Sequence, residues 1–360
     1  MALVIAGIDE AGYGPLLGPL CIGMSVFRVE DWTPGDQAPC LWKLLTTGVC
    51  RKPSDKRKRV AVNDSKRLKG PNDRTCRHPL AELERGALAF LNCVDRAPDV
   101  GCDERCILDS HLYSIIGAEP EPHHWYQCDP TSLPVSATWP ELLIAANLLK
   151  RAMTNSGVNV LDLRCRAIGE AGFNRIYDRT GTKSAATGAG ITRHLRRLWN
   201  QHALLDDTCE GGARIVCDAQ GGRTRYEGYL AQAIPGCRVT VLEESSVRSR
   251  YVVEGEGTRQ ISEISGDEGD TDPARRDDRP RAITILFQPE ADGLHFPVAL
   301  ASMLAKFVRE LMMMRFNRYW QGRIPELKPT AGYTQDARRW LADVGENATH
   351  AERTMMIRRA

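Results

Sequence analysis

Three short apolar runs in this chain each lead into an acidic residue, and that pattern limits the fold more than any other feature. Residues 3–8 read Leu-Val-Ile-Ala-Gly-Ile and end at Asp9-Glu10. Ile215-Val216-Cys217 ends at Asp218, and the run 283–287, Ile-Thr-Ile-Leu-Phe, is followed closely by Asp292. Short, continuous apolar runs suit strands buried on both faces of a sheet. In a mixed α/β sheet, strand ends line up along one edge, and sites collect there. The 360 residues of the chain are enough to bury a sizeable core.

The remaining elements are placed around these runs. A Gly/Pro loop, residues 11–19, separates the first run from a second strand-like run, Leu20 to Val29, which predicts a hairpin. Apolar spacing predicts helices over 80–92, 141–155, 191–205 and 224–234, with a Gly/Thr/Ser-rich loop at 180–190. Val239-Thr-Val-Leu predicts a further strand. Residues 95–140 are rich in Pro, Cys and His with weak periodicity and are expected to be irregular. Residues 254–281 carry charge in blocks and predict a surface loop, the tip of an overgrown hairpin between Tyr251-Val-Val and 283–287. The clearest helix covers 297–320, with Pro297 in its first turn. Leu300, Leu304, Phe307, Leu311 and Met314 form one apolar face, with Ser302, Lys306, Arg309 and Asn317 mostly away from it.

Net charge is only +2, which excludes a purely electrostatic, histone-like binder but leaves room for a local basic groove balanced by acidic loops. The 12 cysteines lie in apolar stretches and loops behind an N-terminus with no basic leader, so reduced thiols and a cytoplasmic location are expected. No apolar run approaches the roughly 20 residues needed to cross a bilayer, so no membrane association is expected. A monomer is the default expectation.

The chemistry follows from the acids. Two like carboxylates about 4 Å apart repel by roughly 4 kcal/mol at an intermediate dielectric. Gathered at one sheet edge, Asp9, Glu10, Asp218 and Asp292 are tolerable if protonated or if they hold cations. All-oxygen ligands favour Mg²⁺ or Mn²⁺ over Zn²⁺. Two such ions about 3.5–4 Å apart make a clamp for in-line phosphodiester cleavage. Taken singly, Asp218 or Asp292 would more simply be a turn residue or helix cap.

Five segments together carry a family resemblance. Gly7-Ile8-Asp9-Glu10-Ala11-Gly12-Tyr13-Gly14-Pro15-Leu16-Leu17-Gly18-Pro19 resembles the N-terminal signature of ribonuclease HII. Asn63-Asp64-Ser65-Lys66-Arg67-Leu68 resembles that family's Asp-Ser-Lys motif, and Val216-Cys217-Asp218-Ala219 its third acidic segment. Glu290-Ala291-Asp292 with 299–306 resembles the fourth acid and its helix, and residues 329–336 the Gly-Tyr segment near the C-terminus. The motifs follow the family's order and reach both ends of the chain.

The resemblance implies an α/β, ribonuclease H-like fold: a central mixed sheet flanked by helices, with a helical C-terminal part. It implies a catalytic domain over 1–320 with insertions near 95–160 and 254–281, and a C-terminal helical extension over 321–360. Asp9, Glu10, Asp218 and Asp292 would be the catalytic and metal-binding acids, holding two divalent ions, Mg²⁺ or Mn²⁺. The substrate would be an RNA–DNA hybrid or ribonucleotide-containing duplex DNA, cut to 3′-hydroxyl and 5′-phosphate ends, a reaction of DNA replication and repair. Backbone at Gly12, Tyr13 and Gly14 would approach the 2′-hydroxyl. Lys66, Ser302 and Lys306 would hold phosphates, and Tyr333 would stack on a sugar.

The chain departs from the family in having Tyr13 where Arg is usual, so the backbone role is kept and the charge of that side chain is lost. It also carries longer intervening segments. Two other functions compete: a hybrid-binding protein of weak or no turnover, and a metal-dependent nuclease of different substrate choice. Cys102, Cys106, His111, His123, His124 and Cys128 match no standard zinc spacing. The glycine loop is followed by prolines and a second strand, unlike a dinucleotide-binding loop.

Overall fold

The continuous apolar residues of the first two strands, buried on both faces, set the architecture. In the computed structural model, β1 (Leu3–Ala11) and β2 (Leu20–Val29) form the expected antiparallel hairpin, in register from Leu3 opposite Val29 to Ala11 opposite Cys21. The structure describes residues 1–53, 55–71, 77–94, 107–203, 212–219, 221–255 and 280–359. The further strands of the main sheet are β3 (Val158–Ile168), β4 (Ala213–Asp218), β5 (Arg238–Glu244), β6 (Ser249–Gly255) and β7 (Arg281–Gln288). Their spatial order is β3-β2-β1-β4-β7-β6-β5. β3, β2 and β1 run antiparallel, whereas β1, β4 and β7 run parallel. Parallel neighbours point their C-terminal ends the same way, so Ile8 lies beside Cys217 and Asp218 beside Gln288.

Two helical layers cover the sheet. Leu3, Ile5 and Phe27 share one core with α1 (Ala81–Leu91), α3 (Trp139–Asn155) and α7 (Phe296–Arg323). Val4, Ala6 and Ile8 share the other with α5 (Ser184–His202) and α6 (Glu227–Ala233). α2 (Asp109–Ile116) joins the first core through Leu112, Tyr113 and Ile116, α4 (Glu170–Thr180) joins the second through Phe173, and α8 (Thr334–Val344) and α9 (His350–Met356) complete the C-terminal part. The fold is the expected central mixed sheet flanked by helices, with a helical C-terminal part. Trp340 of α8 packs on Phe316 and Trp320 of α7.

Close backbone approach fixes α7 on the sheet. A Cβ on Gly7 would lie 2.2 Å from the Pro297 carbonyl carbon, and one on Gly23 would lie 2.1 Å from the Ala301 oxygen. The Ser25 hydroxyl donates to the Pro297 carbonyl at 2.7 Å.

Several expectations need correction. Residues 184–190 are the first turns of α5 rather than loop, because Gly190 packs directly on Ile22 and small residues allow the helix onto the sheet. β3 and α4 were not anticipated, since Asp162, Arg164 and Arg166 interrupt the apolar signal of the strand. Within 95–140, residues 95–106 lie outside the described residues, but 109–116 form α2, closed by Gly117 at φ 71°. The hairpin around the charged segment is present as β6 paired with β7. Residues 256–279 lie outside the described residues. Finally, Ser302, Lys306 and Arg309 are buried, because α7 is covered by protein on both sides.

Candidate functional site: carboxylates at the ends of parallel strands

The C-terminal ends of β1 and β4 bring Asp9, Glu10 and Asp218 to one edge of the sheet. β7 then turns through Glu290, at φ 54°, into a single helical turn, Ala291–Leu294, that carries Asp292. Asp292 is thus delivered by a turn rather than by the strand itself. That turn is tied to β4: the Ala291 N–H donates to Asp218 Oδ1 at 2.9 Å, and the Ala219 N–H to the Gln288 carbonyl at 3.1 Å.

Along β1, side chains alternate, so Asp9 faces α7 as Leu3 and Ile5 do. It is buried within hydrogen-bonding reach of Ser302, whose hydroxyl lies 3.0 Å from Ser65 Oγ. Ser65 opens a single helical turn, Ser65–Leu68, capped by Asp64 accepting from the Lys66 N–H at 2.8 Å.

All four acids are harder to ionise than usual. Burial, then the charges of Glu10 and Asp218, push the Asp9 carboxyl well up. Burial and Asp218 push Glu10 up to about 7, with Lys66 acting the other way. Burial raises Asp218, opposed by the Ala291 N–H and Lys66. Burial, Asp64 and Asp218 push Asp292 up to about 6. The four carboxylates therefore lie within electrostatic reach of one another. They do not form a closed cage: among the described residues, no three His, Cys, Asp or Glu side chains gather tightly enough to hold a metal ion as they stand. The donor set still suits a hard divalent cation, being all oxygen and crowded enough to resist full ionisation without positive charge.

The glycine loop beside these acids is held from below. Gly12 has φ 93°, and a Cβ there would lie 2.6 Å from Arg309 Nε and from the Pro19 carbonyl. Internal packing therefore already requires glycine at 12, whereas nothing lies within 4 Å of a Cβ at Gly14. Arg309, fully buried, donates to the Leu17 and Ala331 carbonyls at 3.2 and 2.9 Å. The Gly332 carbonyl accepts from the N–H groups of Leu16 and Leu17 at 2.8 and 3.1 Å. The Glu170 carboxylate accepts from the Gly18 N–H at 3.2 Å and from the Tyr126 hydroxyl at 2.9 Å.

The other sequence-named residues divide into two groups. Tyr13 and Tyr333 are exposed, at 39% and 46%, and Lys66 is exposed and electrostatically coupled to Glu10 and Asp218. Lys306 is buried, ion-paired to Glu310 at 2.7 Å, and lies 5.6 Å from the Tyr333 ring centroid. Burial alone would raise Glu310, but Lys306, Lys69 and Arg309 outweigh it and hold its carboxyl low. Lys306 therefore already has a partner, and Ser302 faces Asp9 rather than open solvent.

Asp64 belongs to the Asp-Ser-Lys motif but has no individual role legible in the sequence. A short Asp before Ser-Lys reads as a helix cap, which it also is. Arg309, Arg358 and Glu170 carried no local signal, since their partners lie in distant segments.

No protein-family model matches the sequence, and no curated protein does. Among solved structures, the ribonuclease HII of Archaeoglobus fulgidus in its complex with PCNA is similar at TM-score 0.39 and 11% identity, over 99% of this chain and 94% of that one. The ribonuclease H2 of Pyrococcus horikoshii OT3 gives TM-score 0.38 and 12% identity, over 96% and 88%. Bst ribonuclease HIII in complex with Mn²⁺ gives 0.35 and 13%, over 99% and 66%. Likenesses this weak assign nothing to this chain, and the functional reading rests on its own residues.

Proposed function

We propose that this chain is a divergent ribonuclease of the HII type, a metal-dependent endonuclease that hydrolyses the RNA strand of RNA–DNA hybrids or ribonucleotides embedded in duplex DNA. The observation that carries the reading is that β1, β4 and the turn after β7 bring four carboxylates, Asp9, Glu10, Asp218 and Asp292, to one sheet edge, where burial first and neighbouring carboxylate charge second make them hard to ionise. Buried like charges are costly unless compensated. Asp9, Glu10, Asp218 and Asp292 would hold Mg²⁺ or Mn²⁺, two ions in this reading. Bound there, the ions supply an activated water and charge neutralisation at the scissile phosphate.

The chain's own residues supply binding and orientation. Ser302 and Ser65 orient the Asp9 carboxyl, and the Ala291 N–H orients Asp218. Lys66 offsets negative charge beside Glu10 and Asp218 and is free to meet a phosphate. The open side of Gly14 lets backbone approach a sugar, where an amide can read the 2′-hydroxyl. Tyr13 and Tyr333 offer exposed rings beside that loop. In this reading residues 1–320 form the catalytic unit and 321–360 the extension that carries Tyr333. The setting is the cytoplasm, and no helix of the described residues is long and apolar enough to cross a membrane.

The test is incubation of labelled RNA–DNA hybrid with the purified chain and Mg²⁺ or Mn²⁺, beside Asp9→Asn. The expected result is metal-dependent cutting to 3′-hydroxyl and 5′-phosphate ends, lost in the variant. Equal cutting of an all-DNA duplex would overturn the substrate assignment. A second reading, hybrid binding without turnover, is favoured by the open arrangement of the acids. Tight hybrid binding with no cutting by the unaltered chain in either metal would establish it instead.

A further inference from the structure

We propose that residues 51–53 and 55–59 form a phosphate-binding surface that grips the duplex arm of a nucleic acid beside the carboxylate site. The choice of partner rests on the function proposed above. The segment reads Arg-Lys-Pro-Ser-Asp-Lys-Arg-Lys-Arg, six cations and one acid, a net +5 in a chain whose total is +2. The rest of the chain is therefore net acidic, and this segment is the local basic feature that overall charge conceals.

The segment is built rather than merely basic. Asp55 is spent internally: Arg59 Nε and Nη2 donate to its two oxygens at 3.1 and 2.8 Å, and the Arg59 N–H adds a third bond at 3.1 Å. This closes the turn around Lys58, which sits at φ 56°. Arg85 donates to the carbonyls of Lys58 and Arg59 and fixes the turn to α1. The one acid thus neutralises only Arg59. Lys52, Lys56 and Arg57 are exposed and form no ion pair among the described residues. Arg51 lies over the Trp42 ring with its Cζ 3.5 Å from the centroid, a contact that orients the guanidinium without cancelling its charge.

The same segment is bolted to the candidate site. Arg51 Nη1 donates to the carbonyl of Gly293, the residue after Asp292, at 3.0 Å. The Arg51 carbonyl accepts from Asn63 Nδ2 at 3.0 Å, and Asn63 Oδ1 accepts from the Asp64 N–H at 2.9 Å. Arg51 therefore contacts both segments that carry the Asp64–Asp292 pair. An open hollow of about 620 Å³, bounded by Trp42, Arg51, Lys52, Lys56 and Arg57, lies on this flank. An acidic centre repels phosphates until they are held close, and an adjoining row of unpaired cations supplies that hold. An acidic peptide would meet the same cations, but the attachment to the carboxylate turns favours a polyanion that spans both.

The test compares Asp9→Asn with the same chain also carrying Lys52→Ser, Lys56→Ser and Arg57→Ser. Binding of a fluorescent hybrid of about 20 base pairs is followed by anisotropy over a salt series. Each lost phosphate contact lowers the slope of log affinity against log salt by about 0.9. The expected result is a slope smaller by about two to three and affinity lower by at least about tenfold at 0.1 M salt. Replacement by Arg, Arg and Lys at the same three positions should leave both unchanged. An unaltered slope and affinity in the serine variant would overturn the proposal. So would displacement of the hybrid by polyglutamate of matched charge as readily as by unlabelled duplex. Cleavage by the chain with Asp9 intact is measured in parallel. If that chain cuts and its serine variant cuts with the same KM, the surface fails while the nuclease reading stands. If it does not cut at all, the nuclease reading fails, and the binding slopes still decide the surface.

Discussion

Arg358 donates through Nη1 to the carbonyl oxygen of Gly12 at 2.6 Å, across a sequence separation of 346 residues. The same guanidinium reaches the Gly18 carbonyl at 3.3 Å and the Tyr13 carbonyl at 2.7 Å, and lies 4.2 Å from the Phe173 ring centroid. Burial, then the neighbouring Arg309 charge, pull Arg358 down to about 10, so it remains a cation at neutral pH. The end of the chain thus fixes the backbone of the loop on which the proposed 2′-hydroxyl contact depends.

Arg358→Ala leaves three loop carbonyls without this donor. Deleting a buried charged donor costs about 2–4 kcal/mol. Denaturant unfolding should show that loss. With substrate, KM should rise more than kcat falls, since the loop binds rather than reacts. Arg358→Lys, which keeps charge but not the planar fork, should fall between the two. A kcat collapse at constant KM would contradict this role.

Stability without metal should fall as pH rises. Glu10 moves from an ordinary 4.5 to about 7 and Asp292 from 3.8 to about 6, and Asp9 and Asp218 are also raised. The folded chain holds these protons more tightly than the unfolded one. The stability these four groups contribute is therefore greatest below the ordinary carboxylate range and is lost between about pH 4 and 7, while the buried His194, held down at about 4, acts the opposite way. For Glu10 alone the change is on the order of 3 kcal/mol. Thermal unfolding in a chelator should give a higher Tm at pH 5 than at pH 8, with a smaller difference in Glu10→Gln. Stabilisation by added Mn²⁺ should grow across the same window. The same pH dependence of Tm in Glu10→Gln as in the unaltered chain would remove the electrostatic basis of the site.

Asp64→Asn should lower the titration midpoint of Asp292 below about 6, because Asp64 is the largest contribution after burial. The cap on Lys66 survives, since Asn caps about as well as Asp, so stability should change by less than about 1 kcal/mol. Carboxyl-carbon NMR titration reads the midpoint directly. No movement would mean that the two carboxyls are not coupled.

Two glycine substitutions should behave oppositely. Gly7→Ala places a methyl 2.2 Å from the backbone of Pro297 and Val298, and α7 must move away. Overpacking of this kind costs about 1–3 kcal/mol, or more against rigid backbone. Gly14→Ala meets nothing within 4 Å and should leave stability within about 0.5 kcal/mol. If backbone at 14 meets the sugar, the methyl should raise KM for ribonucleotide substrates. Unchanged binding would separate Gly14 from the site.

Glu84 makes a purely structural prediction. Fully buried in α1, its carboxylate accepts from the N–H groups of Val135, Ser136 and Ala137 and from the Ser136 hydroxyl. Glu84→Ala should cost about 3 kcal/mol or more by stripping those donors. Intact stability in a melt would show that this segment is held by other contacts.

Much of the central sheet was readable because its strands are continuous or alternating apolar runs. β1, β2, β4, β5 and the β6–β7 hairpin all declare themselves this way. β3 does not, since Asp162 is buried against Arg164 and Arg197, and ion pairs take the place of apolar residues. The helical spacing of α7 was visible, with its polar residues mostly away from the apolar face. Ser302, Lys306 and Arg309 instead form a buried stripe beneath the acids and the glycine loop, a destination that helical periodicity does not encode.

The sequence by itself determined the hydrophobic runs, their acidic ends and the turn chemistry between them, because these are local properties of neighbouring residues. Only the tertiary structure decided which carboxylates share an electric field, that Asp64 joins Asp292, and that Arg309 and Arg358 brace the loop at 12–18. The physical reason is that desolvation and charge coupling depend on distance through the folded chain. Segments far apart in sequence come within a few ångströms only when the parallel strands and the C-terminal part close around them.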